Sequence, residues 1–243
     1  MTLPTRLYLI PTSVSDDVPP EAVLAPGALA RVRTLGDFVV ENAKTARRFL
    51  AACAHPKPMR EIALAELNEH TPPRAVPGLL DPLRQGRDLG LLSEAGAPAI
   101  ADPGAALVAA AHAEGFAVVP MIGPSAILLA LMASGLEGQR FRFAGYLPAQ
   151  GSDRRARIAE IEKRSAAQRE TQVFIETPYR NEALLADLLS VCHAATQLAL
   201  AVDLTAPGEW IRMTRIDEWR RRVPDLGKRP AVFLLFAEPR AKR

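Results

Sequence analysis

Between residues 88 and 135 the chain alternates two kinds of signal. The apolar run DLGLLS (88–93) leads into a loop, and GAALVAAAHAE (104–114) reads as a helix stopped by Gly115. FAVVPM (116–121) is a second apolar run, the loop IGPS follows, and a second helix over 125–135 closes at Gly135. Short apolar strands separated by helices are how parallel strands are joined, because each crossover needs about a dozen residues. This pattern predicts an α/β protein whose first half is built on a mainly parallel sheet.

The flanking sequence extends the pattern. LYLIP (7–11) and GDFVVE (36–41) read as strands. NAKTARRFLAACA (42–54) has Ala43, Ala46, Phe49 and Leu50 on one helical face. Residues 59–68 fit helix or strand, and 76–86 read as a helix with Gly86 as its stop. The second half has another texture. Strands are expected over 140–148, 171–178, 197–205, 209–216 and 230–238, with helices over 151–170, 179–192 and 217–222. Ser152 or Asp153 would cap the first of these helices. Strands that follow one another without a helix between them point to a mixed sheet. A boundary near Gly123 gives two α/β domains, 1–122 and 123–243.

At 243 residues, with 49% hydrophobic and 23% charged residues, the chain can bury a sizeable core and is not of disordered composition. Cys53 and Cys192 form no CxxC pair and read as reduced core thiols of a cytoplasmic protein. His55, His70, His112 and His193 lack metal-binding spacing, so no metal is expected. The N-terminus lacks a secretory apolar segment, and PSAILLALMASGL is shorter than the ~20 residues that cross a bilayer. Net charge is −2 over residues 1–122 and +5 over 123–243, a small asymmetry of the kind that can accompany a nucleic-acid partner.

The loop in LLSEAGAPAIADPG (91–104) is longer than the 2–6 residues a strand-to-helix connection needs. Other short polar or small-residue breaks follow strands at Pro11–Ser13, Glu41-Asn42, Gly123–Ala126, Glu176-Thr177 and Asp203-Leu204. Ligands of open α/β sheets settle outside the carboxyl ends of strands, so these breaks are candidate ligand loops. No GxGxxG, GxxxxGK[ST] or GxSxG occurs, which removes the usual warrant for dinucleotide binding, ATP hydrolysis or a nucleophile elbow.

LYLIPT, SEAGAPAIADPG, VVPMIGPSAILLALMASGL, FRFAGYLPA and VFIETPYRN, in that order, resemble the tetrapyrrole methylase superfamily of S-adenosylmethionine-dependent methyltransferases. Within it the chain is most similar to the branch of ribosomal RNA small subunit methyltransferase I, which methylates a ribose 2′-hydroxyl. The resemblance implies two α/β domains, commonly a homodimer, with S-adenosyl-L-methionine in a cleft between the domains. It also implies cofactor contacts from Pro11 and Thr12, from Glu94, Ala95 and Gly96, from Ser125 and Ala126, and from Ile175, Glu176, Val202, Pro230 and Ala231. Small residues at 95, 96 and 126 would let backbone approach the ligand, and a helix N-terminus near Ser125 could receive an anion.

The sequence departs from that branch in its first loop, PTSVSDD in place of PTPIGN, and in Glu41-Asn42-Ala43-Lys44 in place of EDTR. The acceptor is therefore open: a ribosomal RNA ribose oxygen, a tetrapyrrole or another small molecule. An S-adenosylmethionine-binding relative without catalysis is a third reading. A ribose hydroxyl needs a base or a stabilising cation, and Glu41 with Lys44 on the next helical turn is the leading catalytic candidate. The pair could equally be a surface i,i+3 contact. Asn68 and Glu69 are the second candidates, because relatives carry an Asn-Glu pair there. Arg154, Arg155, Arg157, Lys163, Arg164 and Arg220–Arg222 read as solvated faces rather than a phosphate grip.

Overall fold

Alternate residues of a strand face opposite ways, and the first sheet buries both sets. The computed structural model describes residues 5–239. These fall into two compact units, divided between Ser125 and Ala126. In the first, β1 (Arg6–Ile10), the short helices α1 (Pro20–Val23) and α2 (Pro26–Val32), β2 (Asp37–Val40), α3 (Ala43–Ala52), β3 (Ala63–Glu66), α4 (Asp81–Arg84), β4 (Leu89–Leu92), α5 (Gly104–Ala113) and β5 (Ala117–Pro120) follow in order. The sheet is parallel throughout, in the order β3-β2-β4-β1-β5.

Tyr8, Ile10, Phe38, Val40 and Leu92 pack on one face with Leu29, Val32, Ala46 and Leu50. Leu7, Val39, Leu89 and Leu91 pack on the other with Leu80, Leu83, Leu107 and Ala111. Each such fully buried aliphatic side chain contributes about 1.5–3 kcal/mol of transfer free energy. Gly90 makes this packing possible, because a Cβ there would lie 2.5 Å from the Phe38 ring. The chain leaves β1 toward β2 and leaves the neighbouring β4 toward β5, so their carboxyl ends form a topological switch point.

The second unit contains α6 (Ala126–Ser134), β6 (Phe141–Tyr146), α7 (Gly151–Gln168), β7 (Thr171–Ile175), α8 (Asn181–Val191), β8 (Gln197–Val202), β9 (Trp210–Arg215), α9 (Ile216–Arg221) and β10 (Ala231–Phe236). Its sheet runs β6-β7-β10-β8-β9, with β6 and β7 parallel and the remaining pairs antiparallel, the expected mixed sheet. Phe174 stacks on Phe233 at 5.8 Å, and buried Trp219 donates its indole N–H to the Leu198 carbonyl at 2.9 Å.

Of the two readings open for residues 59–68, the strand is the one found: edge strand β3 follows a 3-10 turn at Met59–Glu61. Other local expectations are corrected. The helix expected over 76–86 is a 3-10 segment, Pro73–Leu80, followed by α4, because Pro77 and Pro82 interrupt a regular α-helical ladder. Neither Ser152 nor Asp153 caps α7; Gln150 holds that position without a side-chain bond. Arg154 is not on a solvated face. It is buried and bonded to Asp187 and to the Ala149 carbonyl, at 2.7 and 3.0 Å. Arg220 donates to the carbonyls of Leu189 and Cys192 at the end of α8.

Both cysteines are free and buried, and burial pushes the Cys53 thiol up to about 12 and the Cys192 thiol strongly upward. Among the described residues no helix is long and apolar enough to cross a membrane. Nor does any group of three or more His, Cys, Asp or Glu there stand ready for a metal ion.

Candidate functional site

At the switch point of the first sheet, the loops after β1 and β4 are tied together. The Thr12 N–H donates to the Gly96 carbonyl at 2.9 Å, and the Ser93 hydroxyl donates to the same oxygen at 3.1 Å. Gly96 supplies the required backbone at φ +74°, a left-handed conformation that costs glycine little. Gly123 closes the third side, since a Cβ there would meet Pro11 Cβ at 2.5 Å. Thr12 is buried, yet its hydroxyl and that of Ser13 have no hydrogen-bond partner among the described residues. Buried orphan hydroxyls are uncommon and mark a place where a ligand can complete the bonding.

The loop from Ser93 to Pro103 stores strain. Ala99 and Ala101 are both left-handed, at φ +65° and +63°. Such residues cost about 1–3 kcal/mol each and persist only where the surroundings hold them. The carboxylate of Asp102 is one such restraint, accepting the N–H groups of Ala99 at 2.9 Å and Gly104 at 2.7 Å. Burial raises its pKa, opposed by those same bonds.

Glu41 leaves the end of β2 and accepts the Glu94 N–H at 3.0 Å. Its pKa is raised, first by burial and then by the nearby carboxylates Asp102 and Glu94, with the backbone bond from Glu94 pulling the other way. Thr45, in the first turn of α3, donates its hydroxyl to Glu94 Oε1 at 2.6 Å. Asn42 caps α3 by accepting the Lys44 N–H at 2.8 Å. Thr12, Ser13, Glu41, Thr45, Phe49 and Glu94 face a cavity of about 100 Å³. It holds a small group rather than a whole nucleoside. Its walls also carry Asp16 and Arg48, paired at 2.6 Å, so Glu41 and Glu94 leave it anionic.

The structure brings together Pro11, Thr12, Glu41, Glu94, Ala95 and Gly96, with Ser125 closing the first unit: its Cα lies 3.8 Å from where a Gly96 Cβ would be. Ala126 opens α6 in the second unit. Lys44 is not brought in; it is exposed and makes no ion pair with Glu41. Asn68 folds back to accept the His70 N–H, and Glu69 pairs with His70 at 3.6 Å on the surface, so neither faces the cavity. Ser13 lies in the expected Pro11–Ser13 ligand loop, whereas sequence reasoning misses Thr45. Thr45 had a usable signal, lying four residues after Glu41 in a helix that starts at a strand end.

In the second unit, Ile175, Val202 and Ala231 end up on neighbouring strands, with Ala231 opposite Val202 and Val232 opposite Ile175. The Pro230 carbonyl accepts the Asp203 N–H at 3.0 Å. Glu176 follows β7 and is 5% exposed. Its Oε1 accepts from Arg180 and from the Thr177 N–H, while its Oε2 has no partner among the described residues.

Residues 22–219 match the family model of the Tetrapyrrole (Corrin/Porphyrin) Methylases. The chain is similar to a ribosomal RNA small subunit methyltransferase I of Xylella fastidiosa, 34% identical over 205 residues, covering 84% of this chain and 70% of that one. It is 32% identical to the protein of that name in Pseudomonas aeruginosa, over 88% of this chain and 72% of that one. In fold it is similar to the methyltransferase CobJ, with a TM-score of 0.63 at 17% identity, covering 98% and 96% of the two chains. The cobalt precorrin-4 methyltransferase CbiF gives 0.58 at 14% identity, covering 95% and 94%.

Proposed function

This chain belongs to the tetrapyrrole methylase family and is a methyltransferase, and on that premise we propose that it methylates a ribose 2′-oxygen of ribosomal RNA. The donor in this reading is S-adenosyl-L-methionine, which supplies, when bound, an electrophilic methyl on a sulfonium. The observation that carries the site assignment is the Thr12–Gly96 clasp with the unpartnered Thr12 and Ser13 hydroxyls beside it. Together with Pro11, Glu94, Ala95 and Ser125, these groups fit a ligand that carries both an ammonium and a carboxylate; Ala126, which opens the second unit, is assigned by resemblance. Within the second unit, the unpartnered Glu176 Oε2 can accept a hydrogen bond from a ligand hydroxyl or amino group. Ile175, Val202, Pro230 and Ala231, on the strands of the second unit, are kept as candidate ligand residues by resemblance.

Glu41 is proposed as the base. Its carboxylate is fixed by the Glu94 N–H and raised in pKa by burial, which matches it better to taking a proton from a hydroxyl near neutral pH. Thr45 holds Glu94 Oε1 and so keeps the Glu94 turn against α3. With Lys44 turned to solvent, the developing alkoxide is relieved by proton transfer to Glu41 rather than by a lysine cation.

One observation favours a second acceptor class. The anionic walls of the small cavity disfavour a phosphate and suit a neutral or cationic acceptor group, so a small-molecule acceptor is the competing reading. The partner proposed is a second copy. In the second unit, Leu128 and Met132 on α6 are 50% and 80% exposed, and Met213 on the neighbouring β9 is 38% exposed. Such clustered apolar exposure favours association. A cytoplasmic location completes the proposal, as suits an RNA-modifying enzyme.

The test is transfer of a labelled methyl from S-adenosylmethionine to small ribosomal subunits lacking the modification, with label recovered on a ribose. Label entering a tetrapyrrole instead would move the assignment to the second class.

A further inference from the structure

A larger recess lies at the opposite, amino-terminal end of the first sheet. It measures about 530 Å³ and is lined by Thr5, Arg6 and Tyr8 of the β1 region, Arg31 of α2, Gly36 and Asp37 before and on β2, Lys57, and Arg87 and Asp88 before β4. That volume is within the range of small-ligand pockets. The strands are four to five residues long, which sets this recess roughly 15 Å from the methyl-transfer site at about 3.3 Å per residue.

The recess is cationic for structural reasons. Asp37 is consumed by Arg87, which grips both its oxygens at 3.0 and 3.1 Å. Asp88 accepts the Arg6 N–H at 2.9 Å and lies 3.7 Å from the Arg31 guanidinium. Arg31 is laid over the Tyr8 ring at 4.5 Å, which holds its planar head at the wall. The Arg6 guanidinium and the Lys57 ammonium have no carboxylate partner among the described residues. Lys57 reaches the rim because residue 36 is glycine; a Cβ there would meet its Nζ at 3.0 Å. The Tyr8 side chain is 3% exposed, so the ring under Arg31 is fixed by the packing around it.

Four cations against two engaged carboxylates, lining a recess of ligand size, and a planar guanidinium held by stacking together define a ligand. We propose that this recess binds a phosphate-bearing group of nucleotide size. Arg6 and Lys57 meet the phosphate, while Arg31 offers its free face to a planar base. The phosphate comes either from a free mononucleotide or from the backbone of a bound RNA. The proposal stands apart from the methyl-transfer reading, since it uses other residues and is read by binding alone.

The experiment measures binding of cytidine 5′-monophosphate, cytidine and a twelve-nucleotide RNA to the full chain by titration calorimetry. The nucleotide is expected to bind at least tenfold more tightly than the nucleoside and to weaken with added salt. The double variant Arg6→Gln/Lys57→Gln should lose at least tenfold, and Arg6→Lys/Lys57→Arg should retain most of the affinity. Loss confined to the RNA arm would identify a backbone phosphate as the source. Should the double variant prove unstable by its melting midpoint, Lys57→Gln alone, at an exposed side chain, gives the same reading with a smaller loss. If the nucleoside binds as well as the nucleotide, or the glutamine variants bind both phosphate probes undiminished, the proposal is overturned.

Discussion

Glu41 accepts the Glu94 N–H at 3.0 Å, across the seam where β2 and β4 lie side by side. This bond joins the proposed base to the turn proposed to hold the donor, so its chemistry and its cost to the fold can be separated by one isosteric change. Glu41→Gln keeps an acceptor for that N–H and removes the charge. Loss of a positioned base should lower kcat about 10²–10⁴-fold. In the parent enzyme kcat/KM should fall as pH drops through the raised Glu41 pKa, because only the carboxylate accepts a proton. Stability runs the other way. The fold binds this proton more tightly than the unfolded chain, so the Glu41 contribution is most favourable at low pH. It declines as pH rises from the ordinary glutamate value through the raised one. Glu41→Gln should therefore melt higher than the parent at pH 8 and show a smaller difference at pH 4. A variant that keeps its activity would remove Glu41 from the mechanism.

Gly96 carries two demands, a left-handed backbone and close packing under Pro124, Ser125 and Val14. A Cβ at this position would meet nothing closer than 3.6 Å, so Gly96→Ala pays only the conformational cost of about 1–2 kcal/mol. Gly96→Trp adds bulk where the donor is proposed to lie. The expected pair of results is a modest fall in melting midpoint for both variants. Only the alanine form should still be stabilised by S-adenosylmethionine. Equal stabilisation of both by the ligand would put the donor elsewhere.

Asp102 restrains the strained loop through the N–H groups of Ala99 and Gly104. Asp102→Ala strands those donors, at about 1–3 kcal/mol for each one left buried and unpaired. Hydrogen exchange should rise over residues 94–104 well before it rises in β1 and β4. Uniform loss of protection would mean that the loop opens only with the whole unit.

These expectations depend on contacts of unequal visibility in the sequence. The aliphatic strands β1, β4 and β10 are legible within a residue or two because their runs are bounded by proline, glycine or acids, and β8 starts at the expected Gln197 but ends at Val202, three residues short of the expected end. Edge strand β3 is not, since its short ALAE run is largely exposed and shows no alternation. Helices α1 and α2 were absent from the sequence reading, because Pro19-Pro20 and Pro26 look like loop although proline is well suited to a first helical turn. The site divides in the same way. Glu41 and the Glu94–Gly96 turn announce themselves as polar residues at strand ends. That Glu41 meets Glu94, and Thr45 with it, follows from β2 lying beside β4, a pairing of distant segments that local pattern does not reveal. Arg154 misled for a related reason: its neighbours in sequence are solvated charges, and its partner Asp187 is on another helix.

The Arg154–Asp187 pair tests whether that buried charge serves stability. Their side chains are 7% and 12% exposed, and the closest approach is 2.6 Å. Arg155 also reaches Asp187, at 3.2 Å, but from a half-exposed position. The two single variants should therefore differ. Asp187→Ala strands a buried guanidinium and should cost about 3–5 kcal/mol. Arg154→Met leaves Asp187 with Arg155 and should cost less. Replacing both, as Arg154→Met/Asp187→Leu, removes the desolvation penalty with the attraction and should recover most of the loss. Denaturant midpoints of the four proteins decide the matter. If the double variant is as unstable as Asp187→Ala, the pair contributes through packing or through the Ala149 carbonyl bond rather than through its charges.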